Sequence, residues 1–271
     1  MVEDHFDNPD AIRKRFRTEL GRMVGRQGIP SPNELAQQAK KSKNCVVFTL
    51  RDTGKKLDAE TVYARARRSV VIMGGISRCK GGRGWHIACA GGFVIHKDGV
   101  IVSNVHVLDA FRKTEAIGVM TDDGQVFPIQ SVLAADRYND VAVLKVEADN
   151  LTPLPIAPSV PVGATVYCIS HPALNCAGTE NAFYTFTNGM VSGRFHLQFD
   201  GKTPLNVLVI TADYAKGSSG GPILNAHGAV VGIACETLGI ADEDAGCQLT
   251  WKFVRPASSI LPLLQGERST K

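Results

Sequence analysis

The sequence predicts an all-β molecule: two packed antiparallel six-stranded β-barrels behind an N-terminal helical extension. Three observations predict it. Helix-capping signals cluster before residue 60. From Ser69 onward the texture changes to short apolar runs separated by turns such as Lys97-Asp98-Gly99 and Asp122-Asp123-Gly124. Pro153, Pro155, Pro158 and Pro161 then crowd into residues 151–162, an extended connector between two sets of strands. The expected division is residues 1–58 for the helical extension, 59–150 for the first barrel, and 151–271 for the second barrel with a C-terminal helix. At 271 residues, 44% hydrophobic and 21% charged, the chain can bury a sizeable core, which excludes disorder over most of its length. No apolar run approaches the roughly 20 residues that a membrane-spanning helix needs.

Residues 8–26 read as an amphipathic helix. Asn8 caps it, Pro9 occupies its first turn, and Ile12, Phe16, Leu20, Met23 and Val24 form one apolar stripe. Ser31-Pro32-Asn33-Glu34 has the cap and third-position Glu of a capping box, so a second helix runs to about Lys40. A third, around Glu60–Arg67, is capped by Asp58. The first strand set is Val70–Ile76, Gly91–Ile95, Val100–Asn104, Ala116–Met120, Phe127–Val132 and Val141–Val146. The second is Thr165–Ile169, Phe183–Thr187, Met190–Arg194, Val207–Thr211, Gly221–Leu224, Val230–Cys235 and Gln248–Phe253, with a helix over Pro256–Gln265.

The net charge of +4 is too small to imply nucleic-acid binding, and none is expected. Residues 11–43 nonetheless carry nine Lys or Arg against Glu19 and Glu34, which reads as a solvated helix face. A rival reading makes these helices a dock for nucleic acid or an anionic surface. The apolar stripe packs either on the barrels or on a neighbouring subunit, so an oligomer through the N-terminal helices is possible. The acidic start of the chain has no signal core. A secreted or periplasmic site is the leading expectation, with a signal peptide absent from this chain, and a cytoplasmic site the alternative.

Three segments carry chemistry. His106 closes Val100-Ile101-Val102-Ser103-Asn104-Val105-His106, directly after a buried strand. Asp140 precedes the buried run Val141–Leu144. Ser218 and Ser219 lie in Lys216-Gly217-Ser218-Ser219-Gly220-Gly221-Pro222, where glycines let backbone N–H groups turn inward. Each alone also fits a structural histidine, a turn aspartate or a flexible loop. The order His, Asp, Ser, with a glycine-flanked Ser, makes the joint reading sharper.

With Gly91-Gly92-Phe93-Val94-Ile95, Val102–Val107, Asp140–Leu144, Thr187–Ser192 and Gly217–Pro222, the chain resembles the chymotrypsin-fold, trypsin-like serine proteases. Within that clan it is most similar to the bacterial high-temperature-requirement type, over roughly residues 62–265. The resemblance implies a serine endopeptidase acting on protein or peptide substrates. Ser219 would be the nucleophile, His106 the general base, Asp140 the group that holds the imidazole, and the amides of Gly217 and Ser219 the oxyanion hole. Ser218, the nearest competitor, stands where digestive members carry an Asp that pairs with a newly cut N-terminus, so activity is expected without N-terminal processing. The chain ends 52 residues past Ser219, leaving no room for the PDZ domain common in that type. The alternative function is a catalytically silent protease-fold binding protein.

Specificity has two readings. Asp213 is six residues before Ser219, where trypsin-like members place the acid that selects Arg or Lys; the leading expectation is a strand-end residue fixing its loop. A pocket wall of Ile233, Ala234 and Cys235 favours a small or medium apolar side chain. Cys235 with Cys247, Cys168 with Cys176, and Cys79 with Cys89 bracket loops. Three disulfides plus free Cys45, and seven reduced thiols, are both open. Cys79, His86 and Cys89 resemble an incomplete zinc set, but their spacing matches no metal motif and a fourth ligand is missing. No metal and no cofactor are expected.

Overall fold

A computed structural model describes residues 7–42, 44–50, 52, 54–79, 81–176, 179–198, 204–242 and 246–264. The extension forms α1 (Pro9–Met23), α2 (Pro32–Lys41) and α3 (Ala59–Ala66), followed by a single 3-10 turn over Arg67–Ser69. The caps form as the sequence dictates. Asn8 Oδ1 accepts from the Ala11 amide, and Asp58 Oδ1 accepts from the Thr61 amide. Ser31 and Glu34 bond reciprocally at the start of α2.

The first barrel closes in the order β1 (Val70–Arg78), β2 (Trp85–His96), β3 (Val100–Ser103), β6 (Val141–Val146), β5 (Val126–Asp136), β4 (Ala116–Met120). The second closes as β10 (Thr185–Leu197), β11 (Leu205–Ile210), β14 (Gly246–Pro256), β13 (Val230–Asp242), β12 (Pro222–Asn225), β7 (Thr165–Ser170). All ladders within the barrels are antiparallel. Closure removes open sheet edges, so each six-stranded sheet needs no covering partner. A short antiparallel hairpin, β8 (Ala173–Cys176) with β9 (Thr179–Asn181), branches from the second barrel.

α1 lies on the first barrel. Phe16 and Leu20 have no exposed surface and join the core around Ile72, Ile76 and Ile87. Burying each contributes about 1.5–3 kcal/mol. The apolar stripe is thus covered by the chain's own barrel. α2 buries Leu35 and Ala39 in the core that also holds Ile129 and Val132. Gln38 Oε1 accepts from the Val132 amide at 2.8 Å, pinning α2 along β5. No helix among the described residues is long and apolar enough to cross a membrane.

Several expected boundaries shift. The expected strands Phe183–Thr187 and Met190–Arg194 merge into one, β10, which starts only at Thr185, because Asn188 and Gly189 keep their ladder partners Tyr167 and Val166. His106, expected directly after a strand, sits in α4 (Val105–Phe111), a short helix after β3. The C-terminal helix reduces to a 3-10 turn over Ala257–Ser259 and α5 (Leu261–Leu264); Gln265 lies outside the described residues.

Cys168 and Cys235 carry free thiols, which overturns their pairing with Cys176 and Cys247. Cys168 points into the second barrel core, and Cys235 is engaged elsewhere. The side chains of Cys176 and Cys247 lie outside the described residues. Cys45 and Cys79 are also thiols. His86 and Cys89 sit three apart on β2, hence on opposite faces, so the zinc set does not converge.

Candidate active site

His106 and Asp140 come from the first barrel. The turn leading to Asp140 is built by Asp136, whose Oδ1 accepts from the Tyr138 and Asn139 amides. Asp140 itself has φ +57°, the left-handed region that Asp tolerates better than most residues. The Asn104 amide group holds this conformation by donating to the Asp140 carbonyl at 2.7 Å. The carboxylate then grips α4 twice. Oδ1 accepts from the His106 amide at 2.9 Å, and Oδ2 lies 2.6 Å from His106 Nδ1. The aspartate side chain is mostly buried while the imidazole is half exposed. With Nδ1–H committed to the carboxylate, the lone pair on Nε2 is left facing outward.

The serine loop lies between β11 and β12, in the second barrel. Ser218 has no exposed surface, and its Oγ accepts from the Ala215 amide, so the competing hydroxyl is turned inward. Ser219 is half-buried, and its Oγ donates to the Cys235 carbonyl at 3.0 Å. Two tethers fix the loop. Gly220 N–H donates to Ala234 O at 3.0 Å, and across the seam between barrels Gly91 N–H donates to Ser219 O at 2.7 Å. The approach is close enough that a Cβ on Gly91 would lie 2.7 Å from Gly221 N. Gly217 has φ +94°, and neither its amide nor that of Ser219 has an acceptor among the described residues.

Cys235 joins the two halves. Its Sγ donates to Asp140 Oδ2 at 3.2 Å while its carbonyl holds the Ser219 hydroxyl. His106, Asp140 and Ser219 are therefore brought into one cluster through a single intermediary. Burial pushes the Asp140 carboxyl up. The hydrogen bond and charge of the His106 ring, with the His106 amide and the Cys235 thiol, outweigh it, leaving Asp140 below the usual carboxylate range. Burial pushes the Cys235 thiol well above its ordinary value, so it stays protonated and able to donate. Nothing in the sequence around Cys235 announced this contact, which joins residues 95 apart in the chain.

The proposed specificity residues do not assemble. Asp213 is largely exposed and its carboxylate pairs with Lys252 Nζ at 2.9 Å, so its charge is already answered. It lines a cavity of about 520 Å³ with Ser192, Phe195, Leu249 and Trp251, and none of the three cluster residues lines that cavity. The side chains of Ile233 and Ala234 are fully buried in the cores. Cys235 alone sits beside Ser219, with its thiol directed at Asp140.

His171 is the other histidine near this loop, and it is structural. It is fully buried; its Nδ1 accepts from the Tyr184 amide at 3.1 Å and its Nε2 lies 3.2 Å from the Val71 carbonyl. Both ring nitrogens are thus occupied. Burial pushes its pKa down to about 4; the Val71 carbonyl opposes this and the Arg67 charge adds to it.

Known proteins match this architecture. A family model described as "Trypsin-like peptidase domain" matches residues 90–233. The putative serine protease HhoA of Synechocystis is 36% identical over 151 residues, 52% of this chain and 35% of that protein. The serine endoprotease DegS of Haemophilus influenzae is 31% identical over 152 residues, 55% of this chain and 41% of the relative. The chain therefore matches only about two fifths or less of these relatives' lengths. Among solved structures, the HtrA-type protease AlgW with a decapeptide gives a TM-score of 0.62 at 20% identity, covering 77% of this chain and 67% of that one. A serine endoprotease from Yersinia pestis gives 0.55 at 24% identity, covering 78% and 68%. At these identities the structural likeness is one of fold. The family match spans just over half of the sequence and takes in His106, Asp140 and Ser219, and by it the chain belongs to the trypsin-like peptidase domain family.

Proposed function

We propose that the chain is a serine endopeptidase that hydrolyses protein or peptide substrates through His106, Asp140 and Ser219. The observation that carries this reading is the continuous line from Ser219 Oγ to Cys235, from Cys235 to Asp140 and from Asp140 to His106. In the reaction, Ser219 Oγ exchanges the Cys235 carbonyl for His106 Nε2 as its hydrogen-bond partner. As Oγ attacks the peptide carbonyl carbon, Nε2 takes its proton and later delivers it to the leaving amine. Asp140 keeps the ring in the Nδ1–H tautomer and stabilises the imidazolium; it does not itself take the proton. The carbonyl oxygen, now negative, is met by the amides of Gly217 and Ser219, each contributing about 3–4 kcal/mol to the transition state. Water then repeats the sequence on the acyl-enzyme.

Incubating an unfolded protein such as reduced casein with the parent, Ser219→Ala and His106→Ala, and reading fragments by mass spectrometry, tests the proposal. Fragments from the parent alone support it. Equal fragmentation by all three, or none from the folded parent, overturns it and favours a silent binding protein of this fold.

A further inference from the structure

Arg13 breaks the pattern of its neighbourhood. The basic run of the first helices reads as a solvated face, yet this residue is only 9% exposed. Its Nη1 donates to Asn181 Oδ1 at 2.7 Å and its Nη2 to Ile87 O at 3.2 Å. Taking a charge out of water is costly, and an apolar side chain here would dock α1 on the barrel without that cost.

Asn181 is itself buried, and its Nδ2 donates to His171 O at 3.1 Å. The next residue, Ala182, donates its amide to Pro172 O at 2.9 Å. These bonds clamp the stretch His171–Ala173 from one side. On the other side that stretch carries the serine loop. Ala173 N–H donates to Lys216 O at 2.7 Å, and a Cβ on Gly217 would lie 2.8 Å from His171 O and 3.0 Å from Ala173 N. The peptide unit between Lys216 and Gly217, whose N–H faces the reacting carbonyl in the proposed mechanism, therefore rests on a platform that Arg13 props up. A second hold from the same extension reinforces it. Asp7 accepts a bidentate pair from Arg67 at 2.9 and 2.8 Å, and Arg67 lies 4.5 Å over the ring of Tyr184, whose amide binds the His171 ring. Ser218, just before the nucleophile, is uncharged and turned inward, so it makes no ion pair that would anchor the loop.

We propose that Arg13 is a positioning residue for the oxyanion-binding loop, acting from α1 through Asn181 and His171–Ala173 on the Gly217 amide. The N-terminal extension is then part of the active-site machinery and not an appendage. The proposal rests on the serine-protease reading of Ser219.

The test measures phosphonylation by a fluorophosphonate probe, separating the maximal rate from the half-saturating concentration. The parent is compared with Arg13→Met, Arg13→Lys and Asn181→Ala, each at a temperature where circular dichroism shows it folded. Arg13→Met and Asn181→Ala are expected to lower the maximal rate about tenfold or more with half-saturation changed by less than about threefold. The downfield proton resonance of the His106–Asp140 pair stays in place. Arg13→Lys, which keeps a cation and a donor towards Asn181, recovers most of the rate. An unchanged rate in either folded variant overturns the proposal, and Asn181→Ala decides it if Arg13→Met does not fold. A rate that falls only together with the His106 resonance marks general loosening and overturns it too. A folded parent that takes no label at Ser219 overturns the protease reading itself, and is seen before any variant is made.

Discussion

Gly217→Ala puts the oxyanion assignment under the sharpest strain. At φ +94° an L-residue costs about 1–2 kcal/mol relative to glycine. The added methyl would also stand 2.8 Å from His171 O and 3.0 Å from Ala173 N, inside van der Waals contact with backbone that cannot move freely. Where the strain goes follows from the loop's bonds. Lys216 O is held by Ala173 N–H, Ser218 N–H by Ala215 O, Ser219 O by Gly91 N–H and Gly220 N–H by Ala234 O. The Gly217 amide has no acceptor to lose, so rotating that peptide plane is the least costly relief. The rotation turns the N–H away from the substrate oxygen. Losing one such donor costs about 2.7–4 kcal/mol, or about 10²–10³ in kcat. KM should change little, and the melting temperature should fall by only about 2–4 °C for 1–2 kcal/mol in a chain of this size. Steady-state hydrolysis of a peptide cleaved by the parent, beside a thermal melt, reads all three quantities. A variant that keeps the parental kcat refutes the reasoning, because Gly217 would then neither supply the donor nor need its backbone conformation.

Other outcomes follow from the same geometry. Cys235→Ala removes one of three donors to Asp140 and should lower kcat about three- to tenfold, whereas Cys235→Ser, a better donor, should keep parental kcat; equal loss in both variants contradicts the role of the thiol hydrogen bond. Gly91→Ala drives a methyl against Gly221 N across the seam and should lower both melting temperature and kcat, read by calorimetry and peptide hydrolysis; parental values for both contradict the tether. His171 is neutral when folded, with a pKa near 4 against about 6.5 unfolded, so the unfolded chain takes up the proton first. Its contribution is complete above about pH 6.5 and is lost as pH falls towards 4, by about 3 kcal/mol in all. Urea midpoints at pH 7 and pH 4.5 for the parent and His171→Gln should show the steeper loss in the parent, and parallel slopes would count against it. Cys168, pushed up to about 12 by burial, should resist alkylation until the chain is unfolded; ready labelling of Cys168 in the native protein, seen by mass spectrometry, contradicts its burial.

Local patterns carried most of the fold. The caps at Asn8, Ser31 and Asp58, the strand periodicity and the proline connector all act within a few residues, and the structure follows them. The reading of His106, Asp140 and Ser219 as a triad rested on local signals, the glycines around 219 and the buried runs beside 106 and 140. The helix at Val105–Phe111 was hidden because its apolar residues continue the alternation of the preceding strand. Asn188-Gly189 looks like a break, but both residues stay paired with β7. Ile233 and Ala234 were expected at a pocket wall, yet barrel closure turns both into the cores. Arg13 carried one readable clue: it stands three and seven residues before Phe16 and Leu20, on the buried face of α1, where its charge masked the pattern. Its partners at Asn181 and Ile87 are 168 and 74 residues away, beyond the reach of any local signal.

The central claim is that Ser219 is an activated nucleophile. Labelling of the parent, Ser218→Ala and Ser219→Ala with a fluorophosphonate, with the modified residue located by mass spectrometry, tests it directly. Label on Ser219 in the parent and in Ser218→Ala, and none in Ser219→Ala, is the predicted result. Label that persists in Ser219→Ala, or a folded parent that takes none, contradicts it.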